Sequence, residues 1–482
     1  MPGLSHLRAS TPYVVLAAAC AGVFNAALDQ TTIVTALPEI MADLRLSVSD
    51  LDQVMWTVSG YLLGYTVAMP LMGRLSDAYG RRRIYLWALV VFCLGSAFVA
   101  VSTSLAWLVA ARVVMAVGGG AVVPVTIALA GDLLEPKRRI MALALIGAAA
   151  EAGAVLGPLW AGLIINFLDW RWIFWLNLPF SGLIALLILA FVTSHRPEGK
   201  PVPVDYRAGL LLAMTLAVTT IGMSRWRDIP SMAIPLLALG GVLLFAYVWS
   251  QRRAPHPLIP LHFFRIGPFL GANVTHLFVG AAFIIALINV PLLTNTVMAE
   301  SAVEGGLRLV RLTAAIPIGA ILGGLLASKL GYRFPTMLGL GTAAVAFFLM
   351  SGWEVDVGLS TMTVHLVLAG LGFGLVIAPI ASAAINSVPA TDRGAAAALV
   401  TVMRMLGMTI GLAAIASYGT TRFDLLVGAI DLTLLDPGYG QEISEAGMRV
   451  FSEFFLAAMV LCLMALLPAL LMRTERQSPT QT

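Results

Sequence analysis

Charge is what this chain most lacks: Asp, Glu, Lys and Arg make up 11% of its 482 residues, against 59% hydrophobic ones. A water-soluble domain carries about a quarter charged residues, so that class is excluded. Cysteine is nearly absent, and Cys20, Cys93 and Cys462 each fall inside an apolar run, which excludes a disulfide framework. The six histidines are scattered without metal-ligand spacing, and neither a Walker loop nor a nucleophile elbow occurs. No metal, no cofactor and no enzymatic activity is therefore expected. Period-two alternation is missing as well, which excludes a membrane β-barrel.

What the chain has instead is long apolar runs separated by short polar punctuation. A bilayer core about 30 Å thick needs roughly 20 apolar residues per helix, and fourteen segments qualify: 12–40, 51–73, 84–101, 105–131, 140–165, 172–194, 206–223, 231–250, 269–297, 303–328, 334–352, 361–386, 394–420 and 450–472. Helices are the remaining way to satisfy their backbones in lipid. The expected fold is an all-α polytopic membrane protein. Its expected plan is a six-helix bundle over 1–200, two additional helices over 201–260 and a second six-helix bundle over 261–482.

Basic residues set the orientation. With the N-terminus inside, 19 of the 29 Lys and Arg residues fall on the cytoplasmic side, in clusters such as Arg81–Arg83 and Lys137–Arg139. Both termini are thus expected in the cytoplasm, on the inner membrane. The net charge of +4 is spread over alternate loops and forms no single patch, so nucleic acid is not an expected partner. The first apolar segment is too long, and with Asn25 and Asp29 too polar, for a cleaved signal peptide.

The densest motif is Gly73-Arg-Leu-Ser-Asp-Ala-Tyr-Gly-Arg-Arg-Arg83 between the second and third segments. It resembles the cytoplasmic signature of the major facilitator superfamily, G-x-L-x-D-x-x-G-R-[RK]. A degenerate second copy aligns Gly324, Ser328, Gly331 and Arg333 with Gly73, Asp77, Gly80 and Arg82. The run Leu28-Asp-Gln-Thr-Thr-Ile-Val-Thr-Ala-Leu-Pro38 is similar to a signature of the fourteen-helix drug:proton antiporters within that superfamily. So are Gly153-x-x-x-Gly157-Pro158-x-x-Ala161-Gly162, Trp170-Arg-Trp-Ile-Phe-Trp-Leu-Asn-Leu-Pro179, Arg393-Gly394 and Arg404-x-x-Gly407. The fourth segment departs from the pattern, with Met115 and Ala116 where Gln-Gly usually follows the arginine, here Arg112.

The resemblance implies a two-bundle transporter with two extra helices that works by alternating access. Gly73, Asp77, Gly80 and Arg81 then act in conformational gating, with Asp77 pairing to Arg81 and Asp132 offering a second partner; four arginines alone would also serve as a topology anchor. Gly153, Gly157 and Pro158 either bend the fifth helix for gating or only permit close packing. A carboxylate inside a span costs several kcal/mol unless paired, hydrated or neutral, so Asp29 and Glu151 are candidate proton carriers and Arg112 their counter-charge. The alternatives are structural hydrogen bonds and a fixed ion pair. Arg308 and Arg311 share one helix face and either snorkel outward or line a vestibule for anions. Asn25, Met115, His276 and Arg404 complete the candidate substrate contacts, and Phe423–Met448 is expected to form an external surface helix or lid.

The expected activity is export of amphipathic drugs or small metabolites in exchange for protons, driven by the proton gradient. The alternative is a specific organic-anion or metabolite transporter of the same superfamily. Partners are small substrates, protons and the lipid bilayer, with no obligatory protein partner.

Overall fold

The computed structural model describes residues 3–47, 51–134, 136–192, 205–225, 230–255, 257–258, 261–389, 393–430, 436 and 438–473. Among these residues the chain is helical, with no strand. The first seven long helices are α1 (Gly3–Asp43), α2 (Trp56–Tyr79, preceded by the single turn Leu51–Val54), α3 (Arg81–Ala100), α4 (Leu105–Leu133), α5 (Pro136–Phe167), α6 (Arg171–Phe191) and α7 (Tyr206–Ser224). The second seven are α8 (Pro230–Arg253), α9 (Gly267–Thr296), α10 (Ala302–Leu330), α11 (Arg333–Ser351), α12 (Leu359–Asn386), α13 (Arg393–Val427) and α14 (Tyr439–Ala469).

Thirteen of the fourteen are long and apolar enough to cross a membrane. The exception is α2, and length is not its shortfall, since 24 residues at 1.5 Å each reach about 36 Å. Its apolarity is diluted by Thr57, Ser59, Tyr61, Tyr65 and Thr66, all buried inside the protein. Into the expected external segment Phe423–Met448 both flanking helices extend. α13 continues to Val427 and α14 starts at Tyr439, while residues 431–435 and 437 lie outside the described residues.

Local chemistry sets several ends. Ser104 caps α4 by accepting from the Trp107 amide at 3.4 Å, and Asp205 caps α7 by accepting from the Ala208 amide at 3.0 Å. Gly80, with φ +94°, joins α2 to α3 in a conformation that a side chain resists.

Packing gathers the chain into two compact units. The first holds Met1–Ile259, Leu287–Val310 and Leu412–Val450; the second holds Pro260–Ala286, Arg311–Gly411 and Phe451–Thr482. In the first unit α4 packs between α2 and α3, α5 lies along α1, and α7 pairs with α8 while touching α2. α8 turns Ile234, Val242, Phe245 and Trp249 outward, as a helix facing lipid does. The α1–α5 contact is very close: a Cβ on Gly153 would fall 2.3 Å from Phe24 O. The start of α10 joins this unit, with Gly306 against Thr35 and the Pro158 carbonyl.

In the second unit the same device brings α9 and α13 together, where a Cβ on Gly407 would fall 1.9 Å from Leu277 O. An aromatic cluster of Phe283, Phe347, Phe373 and Phe455 fills its interior.

Candidate functional site

The centre of the first unit is an ion pair. Arg112 Nη1 on α4 donates to Asp29 Oδ2 on α1 at 2.5 Å, and both side chains are fully shielded from solvent. The cation has further support, because its guanidinium lies 4.1 Å from the centre of the Tyr61 ring and 5.8 Å from that of Phe174. Arg112 Nε reaches Thr57 O at 3.5 Å, and Nη1 lies 3.8 Å from Met115 Sδ. Arg112 Nη2 is buried and has no hydrogen-bond partner among the described residues.

The carboxylate has a second donor. Asn177 Nδ2 on α6 stands 3.4 Å from Asp29 Oδ1 and 3.1 Å from Ser96 Oγ on α3. Ser96 in turn donates to Phe174 O at 2.8 Å. One turn before Asp29, Asn25 Nδ2 donates to Ser181 Oγ at 3.3 Å. Five helices thus converge on one buried polar cluster. An ion pair without solvent is costly to assemble and more costly to break on one side alone.

Asp29 and Arg112 are therefore brought together, and Met115 lies beneath them, fully buried. Glu151 is half-buried on α5. Asn177, Ser96 and Thr57 were not singled out from the sequence. The available signal was the isolated polar residue in an apolar helix, which Asn177 shares with many others.

At the Gly73–Arg83 turn, Arg81 pairs with Asp77 one turn earlier and with Asp132 Oδ2 at the end of α4, 3.2 Å away. Arg81 Nη1 also donates to Ser76 Oγ at 2.7 Å. Asp77 and Asp132 are both substantially exposed, so these are solvent-facing ion pairs of modest strength. Gly73 has room to spare, its nearest neighbour being Pro124 Cβ at 3.6 Å from a would-be Cβ.

On α5, Gly157 receives Thr31 so closely that a Cβ would fall 2.0 Å from its Oγ1. Thr31 and Thr32 donate to the Ala154 and Gly157 carbonyls at 2.9 and 3.4 Å. The turn before Pro158 is thereby tied to α1.

Arg308 does not snorkel. It is buried, pairs with Glu300 Oε1 at 2.5 Å and lies against Met298. Arg311 is half-buried, and its Nη1 has no hydrogen-bond partner among the described residues. In the second unit, His276 Nδ1 is 2.8 Å from Val400 O while Nε2 is buried without a partner. Arg404 is half-buried on α13, and its carbonyl sits where a Cβ on Gly280 would otherwise go, 2.2 Å away.

The profile of the Major Facilitator Superfamily matches residues 19–412. A protein named triacylglyceride transporter from Mycobacteroides abscessus is 39% identical over 425 residues, 85% of this chain and 83% of that protein. A protein named probable triacylglyceride transporter from Mycobacterium leprae is 34% identical and covers 97% of both chains. Among solved structures, a bacterial homologue of the human lysosomal transporter Spinster, inward-facing and unoccupied, superposes with a TM-score of 0.66 at 16% identity over 97% of this chain and 99% of its own. At that identity the likeness is one of fold.

Proposed function

Because the chain belongs to the major facilitator superfamily, we propose that it exports amphipathic to strongly apolar small molecules in exchange for protons, with an acylglyceride lipid as its cargo. The chain is a multi-pass membrane transporter and not an enzyme. The observation that carries the coupling is the fully buried Asp29–Arg112 pair. A proton and a cargo that compete for the paired state give exchange, because the site cannot be charged and released at once. The cargo class rests on relatives of 34–39% identity that bear the name triacylglyceride transporter.

Within this reading Asp29 is the proton carrier, Arg112 its counter-charge, and Glu151 a second acidic group on the helix that must flex. The Asp77–Arg81–Asp132 latch and the Gly153–Pro158 segment gate the cycle. Asn25, Met115 and Arg308 in the first unit, and separately His276, Arg311 and Arg404 in the second, are the candidate polar and polarizable contacts to cargo. The orientation follows the basic residues, with both termini on the cytoplasmic side of the inner membrane and the proton gradient as the sole energy source. A second reading, carriage of one organic anion or metabolite, is favoured by one observation: the partnerless Nη1 of Arg311.

The test is reconstitution in liposomes with an imposed pH gradient, recording internal pH while a fluorescent triacylglyceride, a cationic amphiphile and an organic anion are presented in turn. Lipid-dependent dissipation that disappears in Asp29→Asn is the expected result. Dissipation with the cation alone makes the protein a drug exporter, and with the anion alone an anion carrier. No proton movement with any of them ends the antiport reading.

A further inference from the structure

Asn177 lies in the segment Trp170–Pro179, which resembles other transporters yet has no task in the mechanism above. Its amide reaches two groups, Asp29 Oδ1 at 3.4 Å and Ser96 Oγ at 3.1 Å, through the same Nδ2 atom. The network fixes which way that amide points. The Ser96 proton is committed to Phe174 O at 2.8 Å, so Ser96 has only acceptor capacity left for Asn177. A carboxylate likewise only accepts. Both neighbours demand donors, and the NH2 of Asn177 supplies one to each.

We propose that Asn177, braced by Ser96, is a positioning residue that sets how tightly Asp29 holds its proton. The proposal rests on Asp29 being the proton carrier of the preceding section. The two groups bonded to Asp29 are Arg112 Nη1 and Asn177 Nδ2, and neither can accept a hydrogen bond. A protonated Asp29 keeps some acceptor capacity but carries an O–H that finds no acceptor in either donor, so loading a proton removes the charge that strengthens both contacts. Asn177 is neutral and more distant, and its contact gives way first. Proton loading thereby loosens the Asp29–Asn177 tie between α1 and α6, leaving the Asn25–Ser181 bond, while Tyr61 keeps Arg112 in place.

Few other groups bear on this step. Arg112 from α4 and the Tyr61 phenol from α2, which donates to Ala26 O at 3.3 Å, are the charged and titratable groups facing Asp29. α3 and α6 contribute Ser96 and Asn177, which do not titrate. On α5, the charged side chain nearest in sequence to the α1 contact is Glu151.

The experiment follows the carboxyl infrared band of Asp29 against pH in the full-length protein in lipid, the band being identified by its loss in Asp29→Asn. Removing a donor from the ionised form favours the neutral one, so in Asn177→Leu the titration midpoint rises. For the loss of one long hydrogen bond to a charged group, a rise of about one pH unit, tenfold in proton affinity, is expected. Ser96→Ala, which only frees the amide to turn, moves the midpoint the same way by less and carries the test if Asn177→Leu misfolds. An unmoved midpoint, a fall, or a band that titrates in none of the three proteins overturns the proposal. The measurement needs no cargo, so failure of proton-coupled transport in liposomes and failure of this assignment are read separately.

Discussion

Gly157 on α5 and Thr31 on α1 occupy space that only one side chain can fill, since a Cβ on Gly157 would fall 2.0 Å from Thr31 Oγ1 and 2.6 Å from Leu28 O. The hydroxyl can turn aside, but the Leu28 carbonyl is backbone and cannot. Overpacking of this kind costs about 1–3 kcal/mol. Gly157→Ala is therefore expected to lower the unfolding temperature in detergent and to abolish transport. Gly131→Ala, with nothing within 4 Å, is the control and leaves both unchanged. Equal melting of the two variants would remove close packing as the reason for the glycine.

The Asp29–Arg112 pair predicts a non-additive double-mutant cycle. Leaving either charge buried alone costs about 3–5 kcal/mol, whereas replacing both by leucine removes the two desolvation terms together. Arg112→Leu and Asp29→Leu should each destabilise strongly, and the double variant should recover most of the loss while remaining inactive. Thermal unfolding of the four proteins reads the cycle, and simple additivity would rule the pair out as a stabilising unit.

At the turn between α2 and α3, Gly80 and Gly73 should behave differently despite belonging to one motif. Gly80 has φ +94° and ψ 139°, a region where a side chain costs about 1–3 kcal/mol, so Gly80→Ala is expected to slow the transport cycle and lower stability. Gly73 lies within α2 with only ordinary contact distance to fill, and Gly73→Ala should be near neutral. Initial rates of transport in liposomes distinguish them.

Two ion pairs should also separate by salt. Asp132 is 60% exposed, so Asp132→Asn costs at most about 1 kcal/mol and its effect fades in high salt. Arg308 is 8% exposed, and Glu300→Gln leaves that cation without its counter-charge. Its loss is expected to be ~1–2 kcal/mol, reduced from the fully buried case because Glu300 is partly exposed, and to persist in 1 M salt, ~3 Å of Debye length notwithstanding. Melting temperatures at low and high salt provide the comparison.

The number and order of helices were legible because lipid demands long apolar runs whatever the packing. Their ends were not. α13 reaches Val427 and α14 begins at Tyr439, through sequence too polar for a span but still compatible with helix. α2 shows the converse, since its buried tyrosines and threonines lower its apolarity while serving the interior. Asp29 and Arg112 stood out because charges inside spans are few. Asn177 and Ser96 did not, because a lone polar residue in a helix gains meaning only from the partner opposite it. Glu300 was overlooked for another reason: it lies between two apolar runs, where charge is ordinary, and only the backward course of the chain brings it to Arg308.

The position of Arg112 over the Tyr61 ring has an electrical consequence. While Asp29 is ionised the pair is neutral, and the membrane voltage exerts no net force on it. Once Asp29 takes a proton, the arginine stays behind as an unbalanced positive charge at the heart of the first unit. One such charge moved across the full field responds by about 2.3 kcal/mol per 100 mV. On the proposed proton-coupled cycle, the loaded protein is therefore voltage-sensitive and the unloaded one indifferent.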